Sequence, residues 1–79
     1  MNTVGNILKS NRNSKNISIE SVAEELKISI YSLKELENDA YINFKDIVFY
    51  IGHLRSYSNF LELDTDELIK FLNENKVSS

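Results

Sequence analysis

The segment from Ser18 to Asn38, SIESVAEELKISIYSLKELEN, constrains the fold more than any other part of the 79-residue chain. Val22, Ala23 and Leu26 fall on one side of a short helix starting at Ile19, and Ile30, Leu33 and Leu36 do the same on a second. That spacing buries one face of each helix. Ser18 and Ser29 stand just ahead of the two runs, where a hydroxyl oxygen accepts from the unpaired amides of a first turn. Ala23 is small where two crossing helices come closest, and Ile28 sits in the turn as an apolar plug. Two short helices meeting at such a corner read as a helix-turn-helix motif over residues 18–38. The residue after Leu26, commonly Gly in this motif, is Lys27, so the turn has to accommodate a side chain.

The rest of the chain reads as helix as well. There is no Pro and only two Gly, 42% of residues are hydrophobic, and neither sustained alternation nor an Asn-Gly or Asp-Gly hairpin dipeptide marks a strand. Thr3 can cap a first helix running to about Lys15, with Val4, Ile7 and Leu8 as its apolar side and Gly5 where another helix approaches closely. Asn43 with Asp46, and Asp64 with Glu67, mark two further helix starts, each with an acid near the positive end of the dipole. They predict a long fourth helix over about 44–61 and a last one over about 65–74. Residues 76–79 are left as a frayed tail. The expected fold class is all-α, a five-helix domain over residues 1–75. A chain this short buries only about 60% of its unfolded surface, so one small core is all it has room for.

Helix four carries two apolar stripes. At about 100° per residue, Phe44, Ile47, Val48, Ile51, Leu54 and Leu61 gather on one side, and Phe49, Tyr50, His53, Tyr57 and Phe60 on the other. Two arrangements account for this and can coexist. Helix four is central, one stripe against helices one to three and the other covered by helix five, or part of the aromatic stripe is exposed as a docking surface. Helix five is short, which leaves Phe49, Tyr50 and His53 as the candidates for exposure. Arg55, on the side of the core stripe, is expected to pair with a carboxylate such as Glu37 or Asp39.

The run from Val4 to Tyr41, together with VFYIGHLRSYSNFLELDTDELI, resembles the cytoplasmic domain of the RodZ bacterial cell-shape proteins. The resemblance extends from residue 4 to about residue 72 without a gap. Its most specific piece is Gly52 with Leu54-Arg55-Ser56-Tyr57, followed by Leu63-Asp64 before the last helix. What it implies is a five-helix domain related to the phage-repressor type of helix-turn-helix, located in the cytoplasm. The implied partner is the actin-like filament protein MreB, bound through aromatic and charged residues around helix four. Tyr57 matches an aromatic position on the partner side, and His53 stands one turn earlier where the family has an aromatic. Lys45, Asp46 and Ile47 replace the family's Pro-containing stretch, and Ile51 replaces its Arg before the Gly. The family's domain normally precedes a membrane span and none follows within these residues, so a truncated membrane protein and a soluble relative are both expected forms.

Helix-turn-helix domains also read DNA, and the sequence offers a candidate set for that alternative. Ser29, Tyr31, Lys34 and Asn38 lie outward on the second helix of the motif, and Lys9 and Arg12 form part of a basic edge on helix one with Lys15. Charge opposes it. The chain carries a net charge of -3, and the motif sets Lys27 and Lys34 against Glu20, Glu24, Glu25, Glu35 and Glu37, whereas phosphate binding draws its affinity from cations. The same acidic balance opposes an anionic membrane surface. With no Cys and a lone His53, no metal cluster is expected. No phosphate loop, nucleophile elbow or sizeable pocket is expected either, so neither cofactor, small-molecule substrate nor enzymatic activity is anticipated.

Overall fold

Helix boundaries in this chain are set by short polar side chains. In the computed structural model, which describes residues 3–40 and 47–76, Thr3 accepts from the Asn6 amide, Ser18 from Ser21 and Ser29 from Ser32, each at 3.1 Å. Asp64 accepts from Glu67 at 3.3 Å. Each cap contributes about 1 kcal/mol, and together they start four of five helices: α1 Val4–Ser14, α2 Ile19–Leu26, α3 Ile30–Glu37, α4 Ile47–Phe60 and α5 Thr65–Lys76. No strand occurs among the described residues. The expected Asn43 cap and the expected start of helix four at Phe44 lie outside the described residues. At the other end α5 runs to Lys76, two residues past the expected limit.

Each of the first four helices is followed within two residues by one in the left-handed conformation, and none of the four is Gly. They are Asn16, Lys27, Asp39 and Glu62, with φ between 57° and 62°. At each exit the next residue's amide reaches back five positions: Ile17 to Arg12, Ile28 to Ala23, Ala40 to Glu35 and Leu63 to Ser58. This bond closes the Schellman pattern and satisfies a terminal carbonyl. The following residue is apolar every time, and Ile17, Ile28 and Leu63 turn inward to pack on the core. Lys27 thus occupies the site where Gly is usual, and the sharp corner between α2 and α3 forms around its side chain.

The core draws on every helix. Val4 and Leu8 come from α1, Val22 from α2, Leu33 and Leu36 from α3, Tyr50, Leu54 and Tyr57 from α4, Leu61 from its exit, and Leu68 and Leu72 from α5. A fully buried side chain of this kind contributes about 1.5–3 kcal/mol. Gly5 allows α1 to close on the end of α3. A Cβ there would overlap the Glu37 carbonyl oxygen and lie 2.7 Å from its carbon and 2.8 Å from Asp39 Oδ2. The approach is fixed by Asp39, whose carboxylate accepts from the Gly5 amide at 2.8 Å and from the Thr3 hydroxyl at 2.6 Å, beside the positive end of the α1 dipole.

Candidate protein-interaction face on the fourth helix

The buried arc of α4 falls on the seam between the two stripes read from the sequence. Tyr50, Leu54 and Tyr57, then Leu61, are fully buried, and their spacing of four, three and four residues holds them within one face. The aromatic stripe is therefore split, and two of its members depart from the expected docking surface. Tyr50 and Tyr57 are core residues, not exposed docking rings. His53 and Phe60 are half-buried at the edge of the arc, and Phe49 alone of the five projects well into solvent, at 63% exposure. The opposite stripe is split as well: Val48 is 70% exposed and Ile47 42%.

A buried carboxylate explains the rotation. Glu37, the last residue of α3, accepts two hydrogen bonds from Arg12 of α1, from Nε at 2.7 Å and from Nη2 at 3.1 Å. It also accepts from the Tyr57 hydroxyl of α4. Arg12 Nη1 donates to the Ile17 carbonyl at 2.9 Å, tying in the corner between α1 and α2. A buried carboxylate needs this many donors, and a tyrosine can be packed among leucines only if its hydroxyl finds a partner. Burial pushes the Tyr57 phenol well above the ordinary tyrosine value, and the bond to Glu37 adds to the effect. The hydrogen bond to Glu37 likewise raises Arg12. Arg12 is consequently not the free phosphate contact anticipated on a basic edge. Nor does Arg55 pair with Glu37 or Asp39: it is exposed on α4, and those two carboxylates are held by Arg12, Tyr57, Thr3 and Gly5.

The outward side of α4 consists of Val48, Phe49, Gly52, Arg55, Ser56 and Asn59, all exposed. Gly52 stands in the middle, and a Cβ built on it meets nothing within 4 Å among the described residues. Packing among the described residues gives no reason for a glycine there, although one in a helix interior costs about 1 kcal/mol relative to Ala. Sequence reasoning picked out Gly52 as part of a pattern and Phe49 as a docking ring. It missed Val48 by assigning it to the core; the signal that could have found it was its spacing of four from Gly52.

The residues of the DNA alternative are partly gathered. Lys9, Arg12, Lys34 and Asn38 line one depression between α1 and α3, with Ile19 and Glu37. Tyr31 stands apart at 82% exposure. Ser29 is engaged as the α3 cap and also donates to the Ser32 hydroxyl at 3.1 Å. With Glu37 neutralised by Arg12, the exposed or half-exposed charges of the motif are Glu20, Glu24, Glu25 and Glu35 against Lys27 and Lys34.

A family profile described as a helix-turn-helix domain matches residues 7–68. The chain belongs to the helix-turn-helix domain family. That match spans all of the corner between α2 and α3 and extends through α4 into the first turn of α5. A Haemophilus influenzae protein described as uncharacterised is 37% identical over 60 residues. Those residues make up 75% of this chain and 20% of the relative, so the match spans about a fifth of that protein's length. No solved structure matches the chain. Among the described residues no helix is long and apolar enough to cross a membrane, and no group of three His, Cys, Asp or Glu side chains is placed to hold a metal ion.

Proposed function

We propose that this helix-turn-helix domain is a non-enzymatic protein-interaction module docking through the outward side of α4, with the actin-like filament protein MreB as its cytoplasmic partner. The partner is the one implied by the likeness to RodZ. One observation carries the docking face: two exposed apolar side chains, Val48 and Phe49, lie beside a helical glycine that packing among the described residues does not require. Glycine in a helix offsets its cost where another backbone comes close, and an exposed aromatic next to it supplies an anchor of the kind that dominates interfaces. The acidic surface of α2 and α3 supports a protein partner over a polyanion.

Co-sedimentation with MreB filaments tests this. The parent chain is expected to pellet with filaments, and Phe49→Ala to lose about 1–3 kcal/mol of binding, the range for an interface anchor. Gly52→Gln should block docking while leaving helix content unchanged by circular dichroism. A parent that stays in the supernatant, or variants that pellet as well as the parent, would overturn the proposal.

A second possibility is DNA binding through α3. It is favoured by the outward Tyr31 with Lys34 and Asn38 on that helix and Lys9 beside them. A gel shift on random duplex at about 50 mM salt, where non-specific contacts are strong, should then show binding that Lys34→Ala weakens. No shift at that salt removes this possibility.

A further inference from the structure

In the depression between α1 and α3 cations outnumber acids, against the balance of this acidic domain. It encloses about 240 Å³ and is lined by Lys9, Arg12, Ile19, Lys34, Glu37 and Asn38. Its single carboxylate, Glu37, is matched by Arg12 through two hydrogen bonds, so Lys9 and Lys34, from two different helices, leave a surplus of positive charge. Arg12 is committed to Glu37 and Ile17, so the exposed Lys9 and Lys34 carry the charge a ligand meets. Ile19 gives the wall an apolar patch, and Asn38 adds an amide.

We infer that this notch receives a single carboxylate from a protein segment, an Asp or Glu side chain with an apolar neighbour that packs on Ile19. A duplex fits less well. The surface of α2 and α3 carries Glu20, Glu24, Glu25 and Glu35 against Lys27 and Lys34, an acidic balance that opposes a polyanion with a charge every ~1.7 Å. An isolated carboxylate needs only the two lysines. The inference does not depend on what docks on α4: α1 and α3 supply its charged residues, and α4 supplies none.

The test is a nuclear magnetic resonance titration of the full chain with a blocked dipeptide carrying one leucine and one glutamate, against the same dipeptide with glutamine. The glutamate form is expected to give saturable shifts at Lys9, Lys34 and the Asn38 side-chain amide, and the glutamine form none. The Lys9→Ala/Lys34→Ala double variant, both positions being exposed, should bind about fivefold more weakly, the combined loss of two solvent-exposed ion pairs. Equal shifts from both dipeptides, or undiminished binding by the double variant, would refute a carboxylate site. So would a short duplex at about 50 mM salt holding the same two lysines more tightly than the glutamate dipeptide does, which would assign the notch to nucleic acid.

Discussion

Replacing each of the two glycines by alanine should move stability in opposite directions, although both lie within helices. Helix propensity alone favours Ala over Gly by about 1 kcal/mol at either position. At Gly52 no described residue opposes this, because a new Cβ meets none of their atoms within 4 Å. Gly52→Ala should therefore gain about 0.5–1 kcal/mol, which raises the melting temperature by roughly 2–8 °C for a domain of this size. At Gly5 the same methyl group overlaps the Glu37 carbonyl and crowds Asp39. Ordinary carbon contact distances require α1 and the end of α3 to part by roughly 1 Å. Overpacking of this kind costs about 1–3 kcal/mol, and the shift also loosens the charged hydrogen bond from the Gly5 amide to Asp39, worth about 1.5–3 kcal/mol. Net of propensity, Gly5→Ala should lose about 2 kcal/mol or more, lowering the melting temperature by roughly 10 °C. Thermal and urea melts followed by circular dichroism decide the matter. Gly5→Ala melting at or above the parent temperature would show that α1 and α3 are not closed on each other as described.

Other perturbations follow from the helix exits and the buried carboxylate. Lys27→Gly relieves a left-handed side chain at φ 58° and should stabilise the domain by about 0.5–1 kcal/mol in urea denaturation; a loss would mean that the lysine makes up for its backbone strain. Glu37→Ala strands Arg12 and the Tyr57 hydroxyl and should cost about 3 kcal/mol, a large part of the total for a 79-residue chain, whereas Glu35→Ala, further out on α3, should change a urea midpoint little. Tyr57 also predicts a sensitivity to alkali. Its folded-state pKa lies above the unfolded value, so its contribution is complete below about pH 10, the ordinary tyrosine pKa, and is lost as pH rises beyond that point while the unfolded chain ionises first. The parent should lose stability above pH 10 more steeply than Tyr57→Phe in pH-dependent melts; identical slopes would contradict the burial of that phenol.

What could be read from the sequence was local. Thr3, Ser18, Ser29 and Asp64 each act on an amide three residues away, and a pattern that short is complete within one turn. Gly5 was legible too, since a lone glycine near a helix start has few uses other than close approach. The rotation of α4 was not. Its apolar and aromatic residues nearly encircle the helix, and periodicity cannot choose among faces when most are apolar. The choice was made by the bond from Tyr57 to Glu37, 20 residues apart in sequence, and by that from Arg12 to Glu37, 25 apart. The same distance in sequence is why Arg55 seemed the better partner for an α3 carboxylate and why Arg12 seemed free. Of the left-handed exits only Lys27 stood out, at a position commonly Gly; Asn16, Asp39 and Glu62 share no chemistry with it, and what the four share is the apolar or small residue that follows each.

The meeting of three helices on the Glu37 carboxylate restricts how this domain can drift. Losing the acid alone strands a guanidinium and a phenol, and losing either donor alone leaves the acid under-solvated, so every single step away is uphill. Exchanging all three positions for well-packed apolar residues is close to neutral. Relatives should therefore carry positions 12, 37 and 57 as an indivisible set, inherited together or abandoned together, while the surface of α4 remains at liberty to follow whatever it touches.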